Sequence, residues 1–247
     1  MLDFNVFRED YIRMLEDSIH DGDVSSMVSY ANYYYSHPEC LTDELLSTII
    51  SYFEKGVEEG FPLAGLNLGS IYFFGDYVPK DFDKAIYYYE KALEDYENSD
   101  EDYYSKICYS LGNLYYLCEK KNLKKAYHYF FLGYFHDQDP SCIMRLGDMY
   151  FSGDFVEKCE TIGFQFYESL LDQVELFDKP KLYLRLGKCF YTGNGCEKNV
   201  LRAYKLFMNA EYYSYEKSSQ GMPVLEEELS EIRSYVKKTK KEIEKML

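Results

Sequence analysis

One stretch, FPLAGLNLGSIYFFGDYVPKDFDKAIYYYEKALEDYE (Phe61 to Glu97), returns in degraded form along most of the chain, and a recurring pattern restricts the fold more than any single motif does. Within it, a Leu68-Gly69 pair is followed one helical turn later by Tyr72 and then by Gly75. A loop with Pro79 and Asp81 leads to a second helix carrying Ala85, Tyr89 and Ala92. The repeat is a helical hairpin. The pair recurs as Tyr30-Ala31, Leu68-Gly69, Leu111-Gly112, Leu146-Gly147 and Leu186-Gly187, at spacings of 38, 43, 35 and 40 residues, so five repeats are expected. A ring stands three residues after each small residue: Tyr34, Tyr72, Tyr115, Tyr150 and Phe190. A missing side chain lets two helix backbones approach, and the ring one turn on fills the space beside it, which assigns both to the core. The second helix carries its own ring, Phe53, Tyr89, Phe130, Tyr167 or Phe207. Gly56, Ala92, Gly133, Leu170 and Ala210 follow three residues later, and Ala85, Ala126, Gly163 and Ala203 precede it by four. A ring flanked by small residues on one helical face reads as a knob set into a neighbouring helix.

These residues resemble the tetratricopeptide superfamily and, more narrowly, its Sel-one-like repeat (SLR) subfamily, through a longer interhelix loop that opens on glycine. The loops are Gly75 to Asp81, Gly153 to Val156 and Gly193 to Asn199. The resemblance covers about residues 24–217. It is weak in the first repeat, where His37 replaces the glycine, and the third departs too, with Cys118 there and a shorter loop. It implies an all-α, right-handed α-α superhelix (an α-solenoid) in a single domain, with repeats over 24–60, 61–99, 102–138, 140–177 and 179–217. Helices at the two ends are expected to cap the stack. The first, 3–20, aligns Phe4, Phe7, Tyr11, Leu15 and Ile19; the last, 222–247, carries a stripe of Leu225, Leu229, Ile232, Val236, Ile243 and Met246.

Apolar residues make up 47% of the chain, with 29 Tyr and 17 Phe, enough to build a core despite a net charge of −16. The sequence shows neither a signal-like amino terminus nor a run approaching the roughly 18 apolar residues of a membrane span. Seven cysteines without a C-x-x-C suit reduced thiols, and a soluble, cytoplasmic protein is the expectation. Residues 1–100 hold 21 acids against 6 bases, and 101–247 hold 22 against 21. That distribution argues against nucleic acid, which needs a basic stripe. It either suits a basic protein segment or serves solubility alone.

Nothing in the sequence carries a catalytic signature. His20, His37, His128 and His136 fall in different contexts, the Gly193–Gly195 G-x-G lacks a preceding strand, and Asp76, Asp81 and Asp83 miss the calcium-loop spacing. No catalytic, cofactor or metal residues are assigned. The resemblance implies a non-enzymatic scaffold or adaptor. Counting around the first helices, positions one and four after the small residue turn to the face that lines the concave surface in the resembled family. These are Asn32, Ser70, Asn113, Asp148 and Lys188, with Tyr35, Phe73, Tyr116, Phe151 and Tyr191. Rings beside polar groups suit an extended peptide or an inserted helix of a partner protein; the same rings also suit packing between repeats. A pocket for a small molecule or a reaction, and a self-associating rod, are the alternatives, with a monomer favoured over assembly.

Overall fold

The computed structural model describes residues 4–75, 77–96, 103–118, 121–173, 175 and 178–246, and these contain helices, turns and no strand. After α1 (Phe4–His20) come five helix pairs: α2 (Val24–Tyr35) with α3 (Asp43–Glu58), α4 (Pro62–Phe74) with α5 (Phe82–Tyr96), and α6 (Tyr104–Leu117) with α7 (Leu123–Asp137). The fourth and fifth are α8 (Pro140–Ser152) with α9 (Glu160–Glu168), and α10 (Lys179–Thr192) with α11 (Val200–Ser219); α12 (Glu226–Glu244) ends the series. The chain divides into two compact units, residues 1–129 and 130–247. Within each, consecutive helices pack on one another in the manner of an α-solenoid. Of the connection 93–102, residues 97–102 lie outside the described residues, as does Asp76.

Local chemistry sets the ends of the helices. Asp23, Thr42, Asp139 and Asn199 each accept a hydrogen bond from a first-turn N–H, and Pro62, Pro140 and Pro180 occupy first turns where no N–H is needed. Gly75, Gly153 and Gly193 close α4, α8 and α10 with φ of 70°, 80° and 83°, the left-handed conformation expected of the loop glycines.

The second-helix rings are the deepest side chains: Phe53, Phe130 and Phe207 are fully buried, and Tyr89 and Tyr167 nearly so. The Leu-Gly glycine makes room for them. A Cβ built on Gly147 would stand 2.5 Å from Tyr167, one on Gly187 2.5 Å from Phe207, and one on Gly69 would overlap Tyr89. Each glycine therefore serves the ring of its own hairpin, and Ala31 fills the same place opposite Phe53.

The first-helix rings differ from expectation: Tyr115 and Phe190 are buried, but Tyr34, Tyr72 and Tyr150 are half-buried. They form a second layer over the core. Tyr72 stacks on Tyr88 with centroids 5.6 Å apart, Tyr115 on Tyr129 at 5.8 Å and Tyr150 on Phe166 at 5.8 Å. Lys84, Lys125 and Arg202 lie over Tyr72, Tyr115 and Phe190 at 4.7, 4.6 and 4.1 Å. The carbonyl of the same residue accepts the N–H that opens the second helix: Asp81 N–H to Tyr72, Asn122 to Tyr115, Cys159 to Tyr150 and Asn199 to Phe190, at 2.7–3.0 Å.

At the ends, Leu15 of α1 is buried while Tyr11 is 42% exposed and edges against Tyr33. On α12, Ile232 is fully buried and Tyr235 stacks on Phe207 at 4.8 Å. Leu225 and Met246 are not part of its buried stripe; each is 67% exposed. α12 begins only at Glu226, where three glutamates favour the positive end of the helix dipole, so Leu225 stays outside it.

Candidate partner-binding face

Asn32, Ser70, Asp148 and Lys188, each one position after the small residue, link their first helix to the next. In the first unit, Asn67 Nδ2 on α4 donates to Asn32 Oδ1 on α2 at 3.2 Å. Ser70 Oγ bonds the Tyr89 hydroxyl at 3.1 Å, and that hydroxyl also bonds Ser110 on α6. In the second unit, Arg185 on α10 grips Asp148 on α8 through Nε and Nη2, both at 2.7 Å, while the Tyr167 hydroxyl donates to the same carboxylate at 2.6 Å. Lys188 on α10 reaches Glu231 on α12 at 2.8 Å. Where the core ring is a tyrosine its hydroxyl joins the link; where it is Phe53 or Phe207, the two side chains meet directly. Asn113 is buried, with no hydrogen-bond partner for its Oδ1 among the described residues.

Electrostatics make the Asp148 link the tightest. Burial alone would raise the Asp148 carboxyl, but the Arg185 hydrogen bonds and charge, the Tyr167 hydroxyl and Arg145 at 3.7 Å hold it below the usual carboxylate range. Burial, reinforced by the carboxylate, pushes the Tyr167 hydroxyl up. A bidentate guanidinium–carboxylate pair fixes distance and angle together.

The rings four positions after the small residue, Tyr35, Phe73, Tyr116, Phe151 and Tyr191, are all half-buried. Tyr35 edges against Phe53 and Tyr77, each at 6.2 Å. Phe73 meets Phe74 at 4.9 Å and Phe82 at 6.1 Å. Lys121 lies 5.5 Å over Tyr116. Phe151 lies flat on Tyr167 at 5.3 Å and against Gly163. Tyr191 edges against Tyr235 at 5.9 Å. Each ring is thus partly committed to neighbouring side chains and partly open to solvent.

Two sets of residues escaped the sequence reading. One is the residue before the leucine, Asn67, Ser110 and Arg185, which completes each link; its signal was the 35- and 37-residue separation of Asn32 from Asn67 and Asp148 from Arg185. The other is Phe74 and Leu117, 53% and 54% exposed at equivalent ends of the touching helices α4 and α6, with Tyr77 37% exposed nearby. Ser36, Ser152 and Thr192 hold that place elsewhere, so an apolar residue there stood out.

The Sel1 repeat pattern matches residues 62–95, 105–136, 140–173 and 180–207, together just over half of the chain. Among solved structures, a Sel1 repeat protein from Oxalobacter formigenes superposes with a TM-score of 0.61 at 19% identity, over 88% of this chain and 85% of that one. A protective antigen of uropathogenic Escherichia coli displaying an SLR fold gives 0.58 at 17% identity, over 92% of this chain and 56% of its own. No curated protein matches the chain.

Proposed function

Since the chain belongs to the Sel1 repeat family, whose members generally serve as protein-interaction scaffolds, we propose that it is an adaptor holding a peptide or helix of a partner protein against its first-helix rings. The observation that carries this reading is the apolar edge of the first unit. Phe74 and Leu117 stand in solvent beside the half-buried Phe73 and Tyr116, on helices whose polar neighbours are already tied to one another. A surface fixed before binding loses little entropy when it binds. The acidic first hundred residues favour a segment carrying Lys or Arg. No described helix is long and apolar enough to cross a membrane, and seven cysteines without a C-x-x-C suit a reducing cytoplasm.

The test replaces Phe73 and Tyr116, the rings of the first unit, with alanine together and compares partner capture with that of the unaltered protein. Capture should fall at least about thirtyfold, the loss of an interface anchor worth about 2 kcal/mol, while the cooperative unfolding transition persists. If that variant instead unfolds like one carrying Tyr89→Ala, the rings are packing residues and the reading fails.

A further inference from the structure

Helix α11 is apolar on two opposite faces. Ala203, Leu206, Phe207 and Ala210 are buried, while on the far side Leu201, Met208, Tyr212 and Tyr215 are 56%, 41%, 62% and 49% exposed. At about 100° per residue these four, with exposed Lys205 among them, fall within a stripe about 80° wide. Their spacing follows the 3.5-residue period of a coiled-coil seam over roughly 21 Å. A helix with one solvated face ordinarily carries polar residues there. The Tyr215 ring is also held in place: Arg233 Nη2 on α12 donates to its hydroxyl at 2.6 Å.

We infer that this seam binds a second copy of the chain, with α11 lying antiparallel on α11. The charges beside the seam name the occupant. Arg202, Asn209 and Glu216 recur every seven residues along one flank. In an antiparallel pair the same flanks meet, so with Asn209 at the centre, Arg202 of each copy faces Glu216 of the other. Asn209 meets its own amide, which both donates and accepts. In that register Leu201 lies two residues, about 3 Å, along the axis from the level of Tyr215 of the second copy, and Lys205 one residue, about 1.5 Å, from that of Tyr212, offsets that apolar and cation–π contacts span. In a parallel pair opposite flanks meet, which would bring Glu211 beside Glu216 of the second copy, like charge against like. The Arg202 guanidinium, stacked 4.1 Å from Phe190, keeps a planar edge for a carboxylate. Because the same patch serves both copies, the contact closes at two. This surface is separate from the first-helix rings and stands or falls without them.

One helix pair is a small interface, so the dimer should be concentration-dependent, with Kd in the range of about 10–100 μM. Sedimentation equilibrium of the full chain from about 1 to 200 μM should therefore show a monomer–dimer equilibrium. Met208→Glu and, separately, Leu201→Lys should each abolish it with helicity and melting intact. Arg202→Glu should weaken it about tenfold and Arg202→Glu combined with Glu216→Arg should restore it, since the double exchange preserves the antiparallel match. A protein monomeric throughout overturns the inference. So does a dimer indifferent to both seam variants, an open-ended series of larger species, or a double exchange that fails to restore pairing.

Discussion

Asp148 shows how one residue can be both a packing element and a charge that must be answered. Three-quarters of its side chain is withdrawn from solvent, yet it accepts from Arg185 and Tyr167 and lies near Arg145, so fixed and mostly charged donors stand where water would otherwise be. Asp148→Asn should lower stability at neutral pH by roughly 3 kcal/mol, the low end for breaking a buried pair, because a quarter of each partner remains solvated. The sign of the pH dependence follows from the depressed folded-state value. The stabilisation is complete above the unfolded-state pKa of about 3.9 and is lost as pH falls through the lower folded value. Urea titrations of both proteins at neutral pH and at about pH 3 should show the gap between them narrowing with acid; an unchanged gap would mean that shape, not charge, holds the link. The aspartate was visible in the sequence as a polar residue on a first helix. Its partner was not, because an arginine 37 residues away becomes its neighbour only when the hairpins stack.

Helix α12 stands beside the fifth hairpin where the first helix of a sixth would stand. Glu231 answers Lys188 as Arg185 answers Asp148, Ile232 enters the core, and Tyr235 lies on Phe207. Removing residues 222–247 should expose Phe207 and lower the melting temperature, with light scattering rising on heating; a truncated protein that melts at the same temperature without aggregating would deny α12 any capping role. The helices and core rings were legible in advance, because small residues four before and three after a ring imprint a 3.6-residue period on the sequence. The outer stacked layer was less so. Its rings share the core period but lie one step round the helix, and only the packing of Tyr88, Tyr129 and Phe166 decides how far they are buried.

For the molecule as a whole, stability in stacked hairpins is close to a sum of each hairpin and its contact with the next, so a defect should stay near where it is made. Gly147→Ala forces a Cβ to within 2.5 Å of Tyr167 and should cost about 1–3 kcal/mol. Hydrogen exchange should then quicken most in residues 140–217 and least in 24–60. Uniform loss of protection would show that the chain unfolds as one body. What the sequence withheld at this scale was which faces remain open, since Phe74, Leu117 and the outer side of α11 differ from core positions only in what fails to cover them. The closing bond between the two helices of a hairpin has a consequence of another kind. It spans nine residues from Tyr72 to Asp81, Tyr150 to Cys159 and Phe190 to Asn199, but only seven from Tyr115 to Asn122, and is made in all four of these hairpins. Loop length is thus free to drift while the latch stays shut, which makes these loops natural splice points, where foreign sequence can be carried without loosening the helices on either side.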